Sequence, residues 1–120
     1  MAISSELDMC VTAGADGICN VHTVRKGVFV RTLSSTNQGL SSITALSLSS
    51  EGYIVFSSLN LKNNMSYLHL YSVNGKILAV DCIDNKIELM ETENDRLVTA
   101  DKEGLLEIRC LTRLVKSDIK

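Results

Sequence analysis

Cys10, Cys19 and His22 are the residues whose types could hold a transition metal, because thiolate sulfur and imidazole nitrogen are the ligands tetrahedral zinc selects. They do not converge. Cys19 and His22 stand three apart in a β-rich stretch, so they fall on opposite faces of one strand, and no fourth ligand is near. His22 is instead expected to be packed between sheets with its nitrogens satisfied, and His69 to be a similar strand residue. Cys10, Cys19, Cys82 and Cys110 lie in apolar stretches without a C-x-x-C pair, which reads as reduced, buried thiols. Ser117-Asp118-Ile119-Lys120 spells S-x-x-K, but that nucleophile works at a helix start with two companion motifs that are missing. G-x-S-x-G, Walker and G-x-G-x-x-G patterns are missing too. Asp8, Asp16, Asp81, Asp84, Asp95 and Asp101 sit at or beside turn signals, where short carboxylates cap their own backbone, so paired-carboxylate catalysis gains little support. No catalytic, cofactor-binding or metal site is expected.

Composition narrows the field further. The chain has 120 residues, 45% hydrophobic content and a net charge of −2, enough for one globular domain with a modest core. Its Lys and Arg residues are scattered, with a loose group at Arg109, Arg113, Lys116 and Lys120, and have no aromatic stacking platform among them, which argues against nucleic acid as a partner. No run of about 18 apolar residues exists, so direct membrane insertion is not expected. The start Met1-Ala2-Ile3-Ser4-Ser5-Glu6 lacks a positively charged leader region, and a cytoplasmic setting follows as the default expectation.

What must position these residues is a series of strands. The chain contains no proline, so Gly, Asn, Asp and Ser make the breaks, at Asp16-Gly17, Lys26-Gly27, Asn37-Gln38-Gly39, Glu51-Gly52, Asn63-Asn64, Asn74-Gly75, Asn94-Asp95 and Glu103-Gly104. Between them lie strand-length segments: 9–13, 18–24, 28–33, 43–48, 53–59, 67–73, 76–83, 87–90, 96–100 and 105–111. No useful helical periodicity appears, and the chain reads as an antiparallel meander.

The meander repeats. VTAGADG at 11–17 and VTADKEG at 98–104 share Val, Thr, Ala and a final Gly behind an acid, Asp16 or Glu103. Ser4 to Asp8 aligns with Ser49 to Tyr53 at an offset of 45, and Thr92 to Arg96 recurs 43 further on, each followed by an apolar strand ending in small residues: Val11-Thr12-Ala13, Phe56-Ser57-Ser58 and Val98-Thr99-Ala100. In the next strand Cys19 and Val21 match Leu68 and Leu70, then Leu106, Ile108 and Cys110, while Asn20/His22, His69/Tyr71 and Glu107/Arg109 take the other face. Four-stranded units of about 40 to 45 residues are the period of WD-repeat-type propeller blades. The expected fold is therefore all-β, built from antiparallel four-stranded blades of such a propeller. It is incomplete at slightly under three blades, whereas closed rings use about four to eight. Residues 1–33 are expected to form a partial blade, 34–42 a linker, 43–84 a blade with an inserted loop at 59–66, and 85–120 a blade with its last strand incomplete. The usual Trp-Asp pair is replaced by His22-Thr23, Tyr71-Ser72 and Arg109-Cys110, so apolar packing takes over from the usual side-chain network.

The stretches SELDMCVTAGADGICNVHTVRKGVFVRTL, LSSEGYIVFSS with YLHLYSVNGKILA, and DRLVTADKEGLLEIRCL resemble consecutive blades of the C-terminal WD-repeat propeller of BEACH-domain proteins, nearest the neurobeachin and neurobeachin-like branch. VHTVRKG and LHLYSVNGK carry the likeness most specifically. The resemblance implies a scaffold in vesicle trafficking and in organelle or receptor sorting, peripheral to membranes through other domains, with no catalytic residues to carry over. Its partners would be other proteins and the remaining blades of the full-length chain, and self-association of these blades alone is a further expectation.

Turn positions expected to hold the blades are Asp16, Gly17, Asn74, Gly75, Glu103 and Gly104. The loop with Lys62, Asn63, Asn64 and Met65 reads either as a partner-binding projection or as a solvated connection. Competing readings are an adaptor propeller of another complex, such as a coat or a ubiquitin-ligase substrate adaptor, and an enzyme with its site in the central channel. For the last, the inner strands supply almost no His, Asp or Glu.

Overall fold

The computed structural model describes residues 2–4, 7–13, 18–34, 41–49, 52–61, 64–83, 86–93 and 95–111. They form three antiparallel sheets. The first holds β1 (Ala2–Ser4), β2 (Met9–Ala13), β3 (Ile18–Thr23) and β4 (Phe29–Ser34). The second holds β5 (Ser41–Leu48), β6 (Tyr53–Asn60), β7 (Ser66–Ser72) and β8 (Ile77–Ile83), and the third β9 (Ile87–Glu93), β10 (Arg96–Asp101) and β11 (Leu106–Cys110). Spatial order follows chain order in every sheet, because the connections are long enough for hairpins but not for crossovers. The all-β, blade-by-blade expectation holds.

Register corrects the alignment of the repeats. Val11 stands opposite Val21, Val55 opposite Leu70 and Val98 opposite Ile108, so the offset between the first two units is 44, and Val55 rather than Phe56 is the counterpart of Val11. One residue of slip moves a side chain to the other face of a sheet. Phe56 accordingly packs backwards onto Val11 and Val21 of the first sheet, while Val55 packs forwards with Leu68 and Leu70 onto the third.

Backbone details recur with the corrected period. The Val24 N–H donates to the Asp8 carbonyl at 3.1 Å, Val73 to Gly52 at 3.0 Å and Leu111 to Asp95 at 2.8 Å, closing each inner turn onto the end of the third strand or just beyond it. Asp8 and Gly52 take φ of 54° and 96° there, a region open to Gly and tolerated by Asp. The outer strands carry one extra residue at equivalent places, Val30 and Leu78, and the inner ones at Thr44 and Glu88.

The expected insertion at 59–66 is shorter in the structure. Leu59 pairs with Ser66 and the Asn60 N–H donates to the Met65 carbonyl at 2.8 Å, so the ladder takes in both ends and the connection proper is 61–65. Asn60 and Ser66 are buried, and buried polar side chains gave no apolar signal by which to extend the strands.

Two cores lie between the three sheets. Val11, Cys19, Val21 and Leu33 meet Ile54, Phe56 and Tyr71, and Val55, Leu68, Leu70, Ala79 and Ile83 meet Ile87, Met90, Leu97 and Leu111. Polar ties flank both. The Arg31 Nη1 donates to the Asn74 carbonyl across the first pair, and the Thr92 hydroxyl bonds Ser47 Oγ at 3.0 Å across the second.

Candidate interaction surfaces

Because each sheet is a meander, its second and third strands join at one end and its third and fourth at the other. At the first end lies the 61–65 connection, with Leu61, Asn64 and Met65 exposed and Asn64 at φ 60°. Lys62 and Asn63 lie outside the described residues, as do Asp16 and Gly17. The β10–β11 turn is also here. Gly104 sits at φ 86° and its N–H donates to the Asp101 carbonyl at 3.1 Å. The acid that holds this turn is Asp101, whose Oδ1 accepts from the N–H groups of Glu103 (3.0 Å) and Leu105 (2.9 Å). Glu103 contributes its backbone and leaves its carboxylate exposed. An Asx side chain reaches the N–H two residues on, which the longer Glu does less well; that chemistry favoured Asp101.

The opposite end carries the β3–β4 and β7–β8 hairpins. Thr23 Oγ1 accepts from the Val28 N–H (3.1 Å) and Ser72 Oγ from the Lys76 N–H (3.2 Å), so the residues standing where WD repeats have Asp cap their own hairpins. Gly75 lies at φ 90°, and a Cβ added there would meet Arg31 Nη1 at 3.1 Å. Arg31 thus crosses from the first sheet to the turn of the second, a link that no local pattern announces because its partner lies 43 residues away.

Between the first two sheets the rings of Tyr71, Phe56 and His69 stack, with centroids 5.5 Å and 4.6 Å apart. His69 is 1% exposed; its Nε2 shares a 2.9 Å hydrogen bond with Ser58 Oγ, and its Nδ1 has no partner among the described residues. Burial disfavours the imidazolium and lowers its pKa to about 4. Burial, and secondly Cys19, raise that of Tyr71. His69, not His22, is therefore the histidine packed between sheets. His22 is half-buried on the rear face of the first sheet, edge-on to Phe29 at 5.5 Å. Among the described residues Ser58 and His69 are both buried with no third group on Nδ1, and no three of His, Cys, Asp and Glu converge on a metal position. No disulfide joins the four cysteines, but of the thiols expected to be buried only Cys19 is; Cys10 and Cys110 are half-buried and Cys82 is exposed. Among the described residues no helix is long and apolar enough to cross a membrane.

The forward face of the third sheet is the main uncovered feature. Leu106 and Ile108, counterparts of the buried Leu68 and Leu70, are 60% and 63% exposed, and Leu89 beside them is 71% exposed. An open cleft of about 430 Å3 lined by Glu93, Arg96, Val98 and Ile108 lies on the same face. The alternation expected from sequence is present, but no further sheet of this chain lies against it among the described residues.

Comparison with known proteins agrees with this geometry. No protein-family profile matches the chain. It is 33% identical over 114 residues to BEACH domain-containing protein B of Arabidopsis thaliana; the match takes in 93% of this chain and 4% of that protein, so the chain spans a small part of its relative. Among solved structures it resembles the computationally designed Ika8 protein (TM-score 0.68, 18% identity, 87% of this chain and 30% of that one). It also resembles the β-propeller domain of Myceliophteria thermophila Cps50 (Swd1) (0.67, 16%, 88% and 32%) and the WD40 β-propeller domain of Doa1 (0.64, 15%, 84% and 32%). Stacked antiparallel meanders, a uniform inner-turn closure and a relative that matches almost the whole of these blades place the chain in one family: it is a segment of a WD-repeat β-propeller of the BEACH-domain proteins.

Proposed function

We propose that the chain serves as a non-catalytic protein-interaction scaffold, part of the C-terminal propeller of a larger BEACH protein of the neurobeachin-like type that acts in vesicle trafficking and in organelle or receptor sorting. The observation that carries this reading is the uncovered forward face of the third sheet. Its apolar residues occupy positions that are buried in the two preceding sheets, and further blades of the longer protein are its natural cover. The relative's name and its far greater length support the same view. The protein is held to membranes peripherally, through other domains. The test is to express the full-length protein with and without these 120 residues and to compare captured partners and cargo sorting. Unchanged partners and normal sorting on deletion would overturn the proposal.

A further inference from the structure

Charge is unevenly spread along the chain. Between Gly17 and Val80 stand Arg25, Lys26, Arg31, Lys62 and Lys76 against a single acid, Glu51, whereas ten of the fourteen acids fall at or after Asp81. In the first two sheets the exposed cations with described positions gather at one end. Arg25 and Lys26 project from the β3–β4 hairpin and Lys76 from the β7–β8 hairpin. Apolar side chains stand among them: Val24, Val28, Phe29 and Ile77 are between 42% and 55% exposed. The whole run from Val24 to Phe29 is exposed, an unusual place for two valines and a phenylalanine unless something covers them. These two hairpins lie within VHTVRKG and LHLYSVNGK, the stretches that set this chain apart from ordinary WD repeats.

The platform is preorganised. Asp8 accepts from the Val24 N–H through its carbonyl and from the Arg25 N–H through Oδ1 (3.0 Å), Thr23 and Ser72 cap the hairpins, and Arg31 joins the first sheet to the Asn74 carbonyl. A partner would have little backbone left to order on this side. We infer that this end of the molecule docks a protein segment rich in carboxylates and interleaved with apolar side chains; the inference rests on the scaffold reading and names the partner class. Charge complementarity selects the occupant: an arginine fork pairs two carboxylate oxygens at once, and the exposed Arg25, Lys26 and Lys76 outnumber Asp8, the described acid of the first two sheets at this end, whose Oδ1 is already engaged by the Arg25 N–H. An anionic lipid surface fits less well, since polybasic lipid sites use about four to eight cations and the first two sheets offer three exposed ones with described positions at this end, beside the Asp8 carboxylate.

The test is fluorescence anisotropy of the 120-residue chain with a labelled peptide of alternating Glu and Leu or Phe, about twelve residues long so as to reach both hairpins. Saturable binding is expected that weakens with added salt, falls about tenfold or more in an Arg25→Glu/Lys76→Glu variant and similarly in Val28→Ser/Phe29→Ser, and is lost with a Lys-for-Glu peptide. Unchanged melting temperatures of both variants show that the fold survives. No binding, or binding indifferent to the charge reversal, overturns the assignment. So does preferential binding to phosphatidylserine vesicles, or salt-sensitive self-association abolished by the charge reversal, which would give the surface to a membrane or to a second copy. In each case the deletion experiment on the full-length protein still judges the scaffold reading separately.

Discussion

Lowering the pH from neutral should destabilise the stacked sheets through His69. The imidazole is 1% exposed between the first two sheets, with a pKa of about 4 against 6.5 in the unfolded chain. Between these values the unfolded chain binds a proton that the folded one refuses, so stability is fully present above about pH 6.5 and is lost as the pH falls towards 4. One pKa unit is worth about 1.4 kcal/mol, which makes the whole loss about 3 kcal/mol, with roughly 2 kcal/mol of it gone by about pH 5, above the ordinary carboxylate range. Urea unfolding followed by circular dichroism at several pH values between about 7 and 5 measures this directly. The His69→Gln variant, whose amide reaches Ser58 without a titrating group, should flatten the profile over that window. A wild-type stability independent of pH, or an unchanged slope in the variant, would falsify the assignment of a buried neutral imidazole.

Phe56→Ala removes the middle ring of the Tyr71–Phe56–His69 stack and should cost about 3–5 kcal/mol, read as a lower melting temperature and urea midpoint. Gly75→Ala should cost more than Gly104→Ala: both glycines have positive φ, but only at Gly75 does a Cβ meet another group, Arg31, while at Gly104 nothing lies within 4 Å and about 1 kcal/mol of backbone strain is the whole effect. Equal melting temperatures for the two variants would remove Arg31 from its role. The isolated chain should associate with rising concentration in sedimentation, and Leu106→Asp with Ile108→Asp should abolish it without lowering the melting temperature; persistence of association would place the contact elsewhere.

Alternation and turn chemistry made the strands legible, since β2, β3 and β10 begin and end within a residue of where apolar segments meet Gly, Asn and Asp. What escaped was the part decided across sheets. The offset of 45 looked natural because Ser-Ser-Glu recurs, yet hydrogen-bond pairing, not letters, fixes that Val55 follows Val11. Packing between sheets was expected of His22 and holds for His69 instead, for the same reason: both lie on rear faces, and only a sheet standing against His69 buries it. Asp101 is legible in sequence as the Asx residue two positions before the donor, whereas Glu103 beside the glycine has the charge but too long a side chain for that bond. Arg31 was beyond reach, because its carbonyl partner belongs to another sheet.

The exposed face of the third sheet sets how strongly these blades can act alone. Covering Leu89, Leu106 and Ile108 would contribute about 1–2 kcal/mol each, some 5 kcal/mol together. Bringing two free molecules together costs roughly 4–15 kcal/mol, so the same face that yields only weak association between separate copies can hold a blade supplied by one continuous chain, for which a tether replaces the entropy of encounter with an effective concentration in the millimolar range. The first two sheets show this logic at work. Val11, Cys19 and Val21 are as apolar as Val98, Leu106 and Ile108, and they are fully buried because the covering sheet follows within the same polypeptide. The alternation at β11 leaves exposed what a covering sheet would bury, as the second sheet buries Val11, Cys19 and Val21.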